Sequence, residues 1–339
     1  MLRDKIAGAL YGMAMGDAMG MPAELWSQRR AREFFGGKIK DFLDGPKENR
    51  VARTYQYGQF TDDTAHGLIL IDSLAASGFI PDPRDIAVRL LEWAESVDAW
   101  KNLLLGPTSR VALANFRDGI RDPSVTDCAL SNGSAMRIAP VGCLFAPDRK
   151  EELADYVLEI TKVTHSSNVT IAGACMIAEG VSSALVHDDF TKVLEDILAI
   201  APLGYDRGFD LYTPRLEERV KLAIKMADGC EKDEDAFLRQ IYDVIGTGTG
   251  IIESVPAAIG IAYYAQDPVR AALLSANVGG DTDTIGAMAT SICGAFKGAA
   301  AIDPHYITTL KKQNGVDFEG YIDKLVQGRA KLAAGRFSV

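Results

Sequence analysis

Histidine and cysteine are scarce in this sequence of 339 residues, which contains four of the former and five of the latter. The cysteines are odd in number and widely spaced, so they do not form the even set that a disulfide framework requires. No Ser-His-Asp or Cys-His arrangement can be recognised from spacing. We interpret the cysteines as reduced core residues, and a thiol nucleophile or a soft-metal site is the alternative. They are Cys128, Cys143, Cys175, Cys230 and Cys293.

Dense basic runs and long hydrophobic runs are also missing. The chain has 36 Lys and Arg residues against 46 Asp and Glu residues, which gives a formal net charge of -10. Binding to a phosphate backbone depends on counterion release by clustered basic residues, so nucleic acid is not an expected partner. The stretch with the least charge, residues 273–301, still contains Asp281, Asp283 and Lys297, and we expect no membrane anchor. Asp4 and Asp17 disfavour a signal peptide, and we expect a cytoplasmic protein.

Strand-like alternation is nearly absent, whereas apolar residues recur at three- and four-residue spacing along most of the chain. This pattern predicts an all-α protein. Prolines such as Pro202 and Pro268 lie between the periodic segments or at their first positions, where proline is tolerated. No break in composition marks a boundary, so we expect one compact domain over residues 1–339. The predicted helices cover residues 6–15, 66–76, 85–96, 108–116, 151–161, 169–185, 190–200, 214–226, 235–245, 255–265, 268–275, 285–299 and 320–332.

Three of the predicted helices are rich in small residues. Their sequences are IAGALYGMAMG (residues 6–16), IAGACMIAEGVSSAL (171–185) and IGAMATSICGAFKGAAA (285–301). Each glycine costs roughly 1 kcal/mol of helix propensity relative to alanine, but small residues allow helix axes to approach closely. The sequence therefore predicts a central layer of closely packed helices.

Two distant segments combine aspartate with threonine ahead of an apolar helix. They are Thr61 to Thr64 (TDDT) and Asp281 to Thr284 (DTDT), and Gly279 and Gly280 precede the second. Taken singly, each is explained by helix capping, because Thr is a favourable N-cap and acidic residues complement the helix dipole. If the segments meet, their carboxylates crowd together and call for a cation. Carboxylates and hydroxyls are hard ligands, which favours magnesium or manganese.

The sequence resembles the ADP-ribosylglycohydrolases, a family that includes dinitrogenase reductase-activating glycohydrolase and the ADP-ribosyl-acceptor hydrolases. The resemblance extends over roughly four fifths of the chain, in family order. It implies a single all-α domain and two Mg²⁺ ions, with Mn²⁺ as the alternative. The matching segments are GALYGMAMGDAMGMPAE (8–24), FTDDT (60–64), GPTSRVAL (106–113), NGSAMRIAPVG (132–142), Thr164 with His165, ESVPAAI (253–259) and NVGGDTDTIGAMA (277–289).

The resemblance also implies roles for individual residues. The implied metal ligands are Thr61, Asp62, Asp63, Asp281, Asp283 and Thr284. Glu24 matches the family's acidic residue that helps to activate or deliver the attacking water, and with Asp62 and Asp283 it forms the predicted catalytic set. Without the resemblance, Glu24 is also explained as a solvated residue in the turn after Pro22. Asp17 is interpreted either as a helix cap or as a residue that orients a metal ligand.

Substrate binding is predicted at three places. Asn132, Gly133 and Ser134 form a turn whose backbone N–H groups are suited to phosphate oxygens. His165 is a candidate substrate contact, and its alternative role is to cap the next helix. Gly246 and Gly248 belong to GTGTG, which is suited to wrapping a phosphate or a ribose but lacks the Lys-Ser/Thr ending of a P-loop.

Three functions are consistent with these patterns. The leading hypothesis is magnesium-dependent hydrolysis of the glycosidic bond at the anomeric ribose carbon of an ADP-ribosylated protein or a small ADP-ribose conjugate. The second is an N-ribosidase that acts on free nucleosides or other small ribosides. The third is a non-catalytic protein, either crystallin-like or one that binds ADP-ribose, because the family also resembles certain lens crystallins. The acceptor linkage and the oligomeric state stay open.

Overall fold

Helices form nearly every segment in which apolar residues recur at helical spacing. The computed structural model describes residues 1–102, 104–230 and 233–335. No strand occurs in these ranges, and the all-α prediction is confirmed. The helices are α1 (Leu2–Gly20), α2 (Gln28–Phe35), α3 (Asp62–Ala76), α4 (Pro83–Ser96), α5 (Ala99–Asn102), α6 (Pro107–Arg117), α7 (Ser124–Asp127), α8 (Ala139–Gly142), α9 (Lys150–Thr161), α10 (Asn168–Ala184), α11 (Phe190–Tyr205), α12 (Leu216–Gly229), α13 (Glu234–Gln240), α14 (Ile251–Ala265), α15 (Pro268–Ala276), α16 (Thr282–Lys297), α17 (Pro304–Asn314) and α18 (Phe318–Ala334).

Some boundaries differ from the predicted ones for identifiable reasons. The predicted helix over residues 235–245 is α13 followed by a π-helical turn, Ile241–Ile245. Pro202 lies inside α11 rather than between helices, and that prediction is wrong. Pro202 has no N–H to donate to the carbonyl four residues earlier, but only three residues of α11 follow it, so the disruption is confined to the last turn of the helix. Pro268 opens α15 as predicted.

Small residues bring α1 and α16 into backbone contact. A Cβ atom added at Gly8, Gly12, Gly16 or Gly20 would overlap with a backbone carbonyl of α16, at Gly294, Thr290, Gly286 and Thr282 respectively. The pairing runs in opposite directions along the two helices, so they are antiparallel. The hydroxyl of Thr290 donates to the carbonyl of Gly12 across this contact. The predicted close packing of small-residue helices is confirmed here, and its alignment places the end of α1 beside the start of α16.

A second small-residue helix, α10, lies at the centre of the molecule. All of its residues are buried, from Asn168 to Ala184. A helix that is buried on every side belongs to the core of a protein of this size. Four of the five cysteines are also buried, and Cys128 is the exposed one. Within the described residues, no helix has the length and apolar character that crossing a membrane requires.

Candidate active site

A cavity of about 400 Å³ opens where the end of α1, the start of α3 and the start of α16 meet. It therefore lies at the end of the α1–α16 pair, where the last residues of α1 meet the first residues of α16. Its lining residues are Glu24, Leu25, Val51, Tyr55, Thr61, Asp62, Asp63, Leu104, Leu105, Gly106, Pro107, Ser109, Arg110, Ser131, Asn132, Gly133, Met136, Thr249, Asp281, Asp283 and Thr284.

The start of α3 is capped by a side chain from another helix. Asp17, fully buried in α1, accepts hydrogen bonds from the backbone N–H of Thr61 at 2.8 Å and of Thr64 at 2.9 Å, and from the Thr64 hydroxyl at 2.6 Å. Thr61 occupies the N-cap position but makes no capping bond with its side chain. Capping therefore does not explain the threonine. The hydroxyl of Thr61 and one carboxylate oxygen of Asp63 are instead buried without a hydrogen-bond partner.

The start of α16 also leaves its acidic side chains free of capping. Gly279 and Gly280 have φ angles of +83° and +82°, a conformation that glycine adopts without strain. This turn presents Asp281, one oxygen of which accepts a hydrogen bond of 2.6 Å from the side-chain amide of Asn132. One oxygen of Asp283 is buried without a partner.

Glu24 reaches the same cavity through a short irregular segment. The residue after it, Leu25, has a φ of +57°, and its N–H donates to the carbonyl of Gly280 at 2.7 Å. The side-chain amide of Asn49 donates to the carbonyl of Glu24 at 2.9 Å. Carboxylate oxygens of Glu24, Asp281 and Asp283 lie within 4.8 Å of one another. Glu24 therefore lies within the carboxylate cluster.

Burial raises the pKa values of the whole cluster, and repulsion between carboxylates adds to the rise for every member except Asp281. Burial, followed by the charge of Asp17, raises the pKa of Asp62 to about 7. Burial raises the pKa of Asp281 to about 6, and the hydrogen bond from Asn132 opposes the rise. Burial and neighbouring carboxylates hold the pKa values of Glu24, Asp63 and Asp283 well above their usual range. The cluster thus binds protons or another positive charge near neutral pH.

The donor set fits a hard divalent cation. Within the cluster, three buried oxygens have no hydrogen-bond partner: the hydroxyl oxygen of Thr61 and one carboxylate oxygen each of Asp63 and Asp283. Buried acceptors of this kind are costly unless a donor or a cation satisfies them. Oxygen ligands of this type suit Mg²⁺ and Mn²⁺ better than softer metals.

Comparison with known proteins decides the family. The model of the ADP-ribosylglycohydrolase family matches residues 1–334. This chain belongs to that family. Family membership makes this ADP-ribosylglycohydrolase an enzyme that hydrolyses glycosidic bonds, and the crystallin-like alternative is set aside.

Individual relatives agree with the family. The chain is 41% identical over 335 residues to the Escherichia coli (strain K12) protein called Uncharacterized protein YegU, covering 98% of this chain and 100% of that one. It is 26% identical to ADP-ribosylhydrolase ARH3 of Bos taurus, covering 87% and 85% respectively. It is 23% identical to the ADP-ribosyl-(dinitrogen reductase) glycohydrolase of Rhodospirillum rubrum, covering 96% of each. A solved ADP-ribosylglycohydrolase-related protein complex shares the fold, with a TM-score of 0.69 at 22% identity over 97% of this chain and 98% of that one.

The residues predicted for substrate binding fall into two groups in this ADP-ribosylglycohydrolase. Asn132 and Gly133 line the cavity. Ser134, His165, Gly246 and Gly248 are not among its lining residues. Ser134 is fully buried and donates to the carbonyl of Thr170 at 2.9 Å.

The GTGTG loop has an internal partner. The N–H of Gly248 donates to a carboxylate oxygen of Glu253 at 2.8 Å, and Gly246 packs against the same side chain. The carbonyl of Thr247 accepts from the N–H of Asp281 at 2.7 Å. The loop thus supports the start of α16, and only its Thr249 reaches the cavity.

Several residues at the cavity were not predicted. Tyr55, Arg110 and Ser131 line it, and Arg137 is fully buried behind it. Arg110 belongs to the GPTSR segment and Arg137 to the NGSAMR segment, but the residue type and spacing alone give neither arginine a role. Tyr55 and Ser131 have no local signal, because only the fold brings them to the carboxylates.

Proposed function

We propose that this enzyme is a magnesium-dependent hydrolase that cleaves the glycosidic bond at the anomeric ribose carbon of an ADP-ribosylated substrate. The observation that supports the proposal is the meeting of two distant helix starts and Glu24 in one cavity, with buried oxygens that lack partners. Family membership supports the ADP-ribosyl part of the substrate.

Two Mg²⁺ ions would be held by oxygens of Thr61, Asp62, Asp63, Asp281, Asp283 and Thr284. Thr61, Asp63, Asp281, Asp283 and Thr284 are buried, which favours ions over free carboxylates. When bound, Mg²⁺ supplies positive charge that neutralises this cluster, lowers the pKa of water and orients ribose hydroxyls.

The chain's own residues supply proton transfer and charge stabilisation. Glu24 and Asp62 are the two partly exposed carboxylates of the cluster and so face the cavity. Asp62 would hold Mg²⁺ and orient the attacking water, and its pKa of about 7, which burial produces in the metal-free protein, falls when the ion binds. Glu24 lines the cavity and is outside the proposed set of metal ligands, so its carboxyl group is the one that exchanges a proton with the attacking water or the leaving group. Glycosidic cleavage develops positive charge at the anomeric carbon, and the surrounding carboxylates stabilise it.

The charge of the cavity also supports the second candidate, an N-ribosidase for small ribosides. Arg110 is the one Lys or Arg among the described lining residues, which also include five carboxylates. A riboside without a diphosphate is therefore compatible with this mainly acidic cavity, because it carries no negative charge. Release of free ribose would identify this activity, whereas release of ADP-ribose identifies the leading one.

The test is a hydrolysis assay with ADP-ribosyl-arginine, ADP-ribosyl-serine, O-acetyl-ADP-ribose and nucleosides, with Mg²⁺ or Mn²⁺ and with EDTA. We expect turnover of at least one ADP-ribosylated compound with metal and none with EDTA. Asp62→Asn and Asp283→Asn should abolish turnover and weaken metal binding while retaining the helical circular dichroism. The matched control is Asp206→Asn at an exposed position. Equal activity after complete chelation would contradict the mechanism.

A further inference from the structure

A chain of buried side-chain hydrogen bonds leads from a guanidinium group to the wall of the cavity. Arg137 donates to the hydroxyl of Thr164 at 2.7 Å, and that hydroxyl lies 2.8 Å from Nδ1 of His165. Nε2 of His165 lies 2.9 Å from the hydroxyl of Ser131, which is 3.1 Å from the hydroxyl of Thr108. The first three residues of this chain are fully buried, and Ser131 is partly exposed where it lines the cavity.

The chemistry of Arg137 sets the direction of every bond in the chain. A guanidinium group only donates, so the Thr164 oxygen accepts from Arg137. Within the described residues, Nδ1 of His165 is the one acceptor that the Thr164 hydroxyl reaches. A buried hydroxyl hydrogen without an acceptor is costly, so Thr164 donates to Nδ1. Nε2 of His165 then carries the ring hydrogen and donates to Ser131, whose own hydrogen points onward.

Packing holds the imidazole in this role. A Cβ atom at Gly133 would lie 2.7 Å from Cε1 of His165, so glycine at this position makes room for the ring. Burial, together with the charge of Arg137, lowers the pKa of His165 to about 3. The ring is therefore neutral at physiological pH and carries a single N–H, as the chain requires.

The backbone fixes the last member of the chain at the cavity. Ser131 pairs with Gly250 in an isolated β-bridge, and the flanking N–H groups of Asn132 and Ile251 donate to the carbonyls of Thr249 and Leu130 at 3.0 and 2.9 Å. In this structure the Ser131 hydroxyl donates to Thr108. A ligand oxygen at the wall would compete for the same hydrogen.

We infer that Ser131 is a substrate-binding residue whose hydroxyl donates a hydrogen bond to an acceptor oxygen of the substrate, and that Arg137, Thr164 and His165 are positioning residues that fix this direction. The inference rests on the proposed function, because it requires that the substrate occupies this cavity. A chain that begins at a cation polarises each following donor, which strengthens the final bond. His165 thus contributes to binding through Ser131 rather than by direct contact.

The direction of the chain is tested on the free protein, without substrate. Two-dimensional ¹H–¹⁵N correlation of the imidazole rings distinguishes the two neutral tautomers, and His165→Gln assigns the resonances among the four histidines. We expect His165 to be the neutral Nε2–H tautomer at about pH 7.5. An Nδ1–H tautomer or a charged ring would overturn the inference whatever the enzyme's substrate.

The role of Ser131 is tested by a double-mutant cycle on ADP-ribose binding with Mg²⁺, measured by calorimetry. Ser131→Ala and His165→Ala should each weaken binding about tenfold, the effect of one lost hydrogen bond of good geometry. Because both act through one bond, the double variant should be no weaker than either single variant. His165→Gln retains an N–H towards Ser131 and should recover most of the affinity.

The control is Ser182→Ala, which removes a buried hydroxyl that donates to the carbonyl of Phe145 away from the cavity. It should leave binding unchanged. Additive losses, or a Ser131→Ala variant with wild-type affinity, would overturn the inference. A wild-type protein that neither binds ADP-ribose nor hydrolyses any ADP-ribosylated compound would instead count against the proposed function.

Discussion

Removing one carboxylate from the cluster should stabilise the metal-free enzyme. The perturbation is Asp281→Asn, which keeps an oxygen that accepts from Asn132. Asp281 has a usual pKa of 3.8, and burial raises it to about 6 in the folded protein. A difference of about two pH units corresponds to roughly 3 kcal/mol. This figure is the largest increase in the free energy of unfolding that the neutral asparagine can give.

The direction of this change in stability with pH follows from the raised pKa of Asp281. The unfolded chain releases the proton of Asp281 at lower pH than the folded protein does, so stability from this group is complete below about pH 4 and is lost as the pH rises through about 6. In EDTA the wild-type enzyme should therefore become less stable between about pH 4 and pH 7. At about pH 8, Asp281→Asn should be more stable than the wild type by up to about 3 kcal/mol.

Magnesium should reverse this order. A ligand that binds only the folded state stabilises it by about 4.1 kcal/mol when its concentration is about 1,000 times the dissociation constant, which exceeds the advantage of roughly 3 kcal/mol that Asp281→Asn has in EDTA. The wild-type enzyme should gain this stability and Asp281→Asn should gain little. Urea unfolding followed by circular dichroism measures the stability of the wild type and of Asp281→Asn, each in EDTA and in Mg²⁺. Asp206→Asn controls for the change in net charge. A wild-type profile that is flat in EDTA, or a variant less stable than the wild type at about pH 8, would refute the reasoning.

Two further predictions concern the supports of the site. Gly16→Ala places a Cβ onto the carbonyl of Gly286 and should lower the free energy of unfolding by about 1–3 kcal/mol, measured by urea titration. The control is Gly229→Ala, whose Cβ meets nothing within 4 Å and which should be neutral or stabilising. Equal stability of the two variants would contradict the packing argument. Asp17→Ala removes the hydrogen bonds at the start of α3 and should cost about 1–2 kcal/mol together with turnover. Asp82→Ala, which removes the side-chain cap of the more exposed α4, should lower stability and retain kcat. A normal kcat in Asp17→Ala would show that its cap does not position the metal ligands.

The carboxylate cluster could be predicted because its members share a local pattern. The Asp and Thr residues at 61–64 and 281–284 repeat one arrangement, and the glycine pair before the second signals an irregular turn. The sequence alone did not establish that the segments meet. That result depends on the alignment of α1 with α16 and on the cap that Asp17 provides across helices.

Other features could not be predicted because their signals are weak or three-dimensional. The helix α2 has the sequence QRRAREFF, in which charged residues outnumber apolar ones before the final pair, and α17 likewise has few apolar residues. Periodicity therefore gave no signal for either. The role of Ser131 depends on its contact with His165, which only the fold brings about. The sequence also does not show that the side chain of Glu253 accepts from the N–H of Gly248, and without this partner the glycine-rich loop suggests a ligand site.

The backbone contact between α1 and α16 has a consequence for how the enzyme is made. The two helices lie more than two hundred residues apart in the chain, and α1 leaves the ribosome long before its partner. Contacts of such long sequence separation form late and slowly, because the intervening chain must first be ordered. We expect a nascent chain that ends before Thr282 to lack the metal cluster and any hydrolytic activity, so that catalysis begins only when nearly the whole polypeptide has been synthesised.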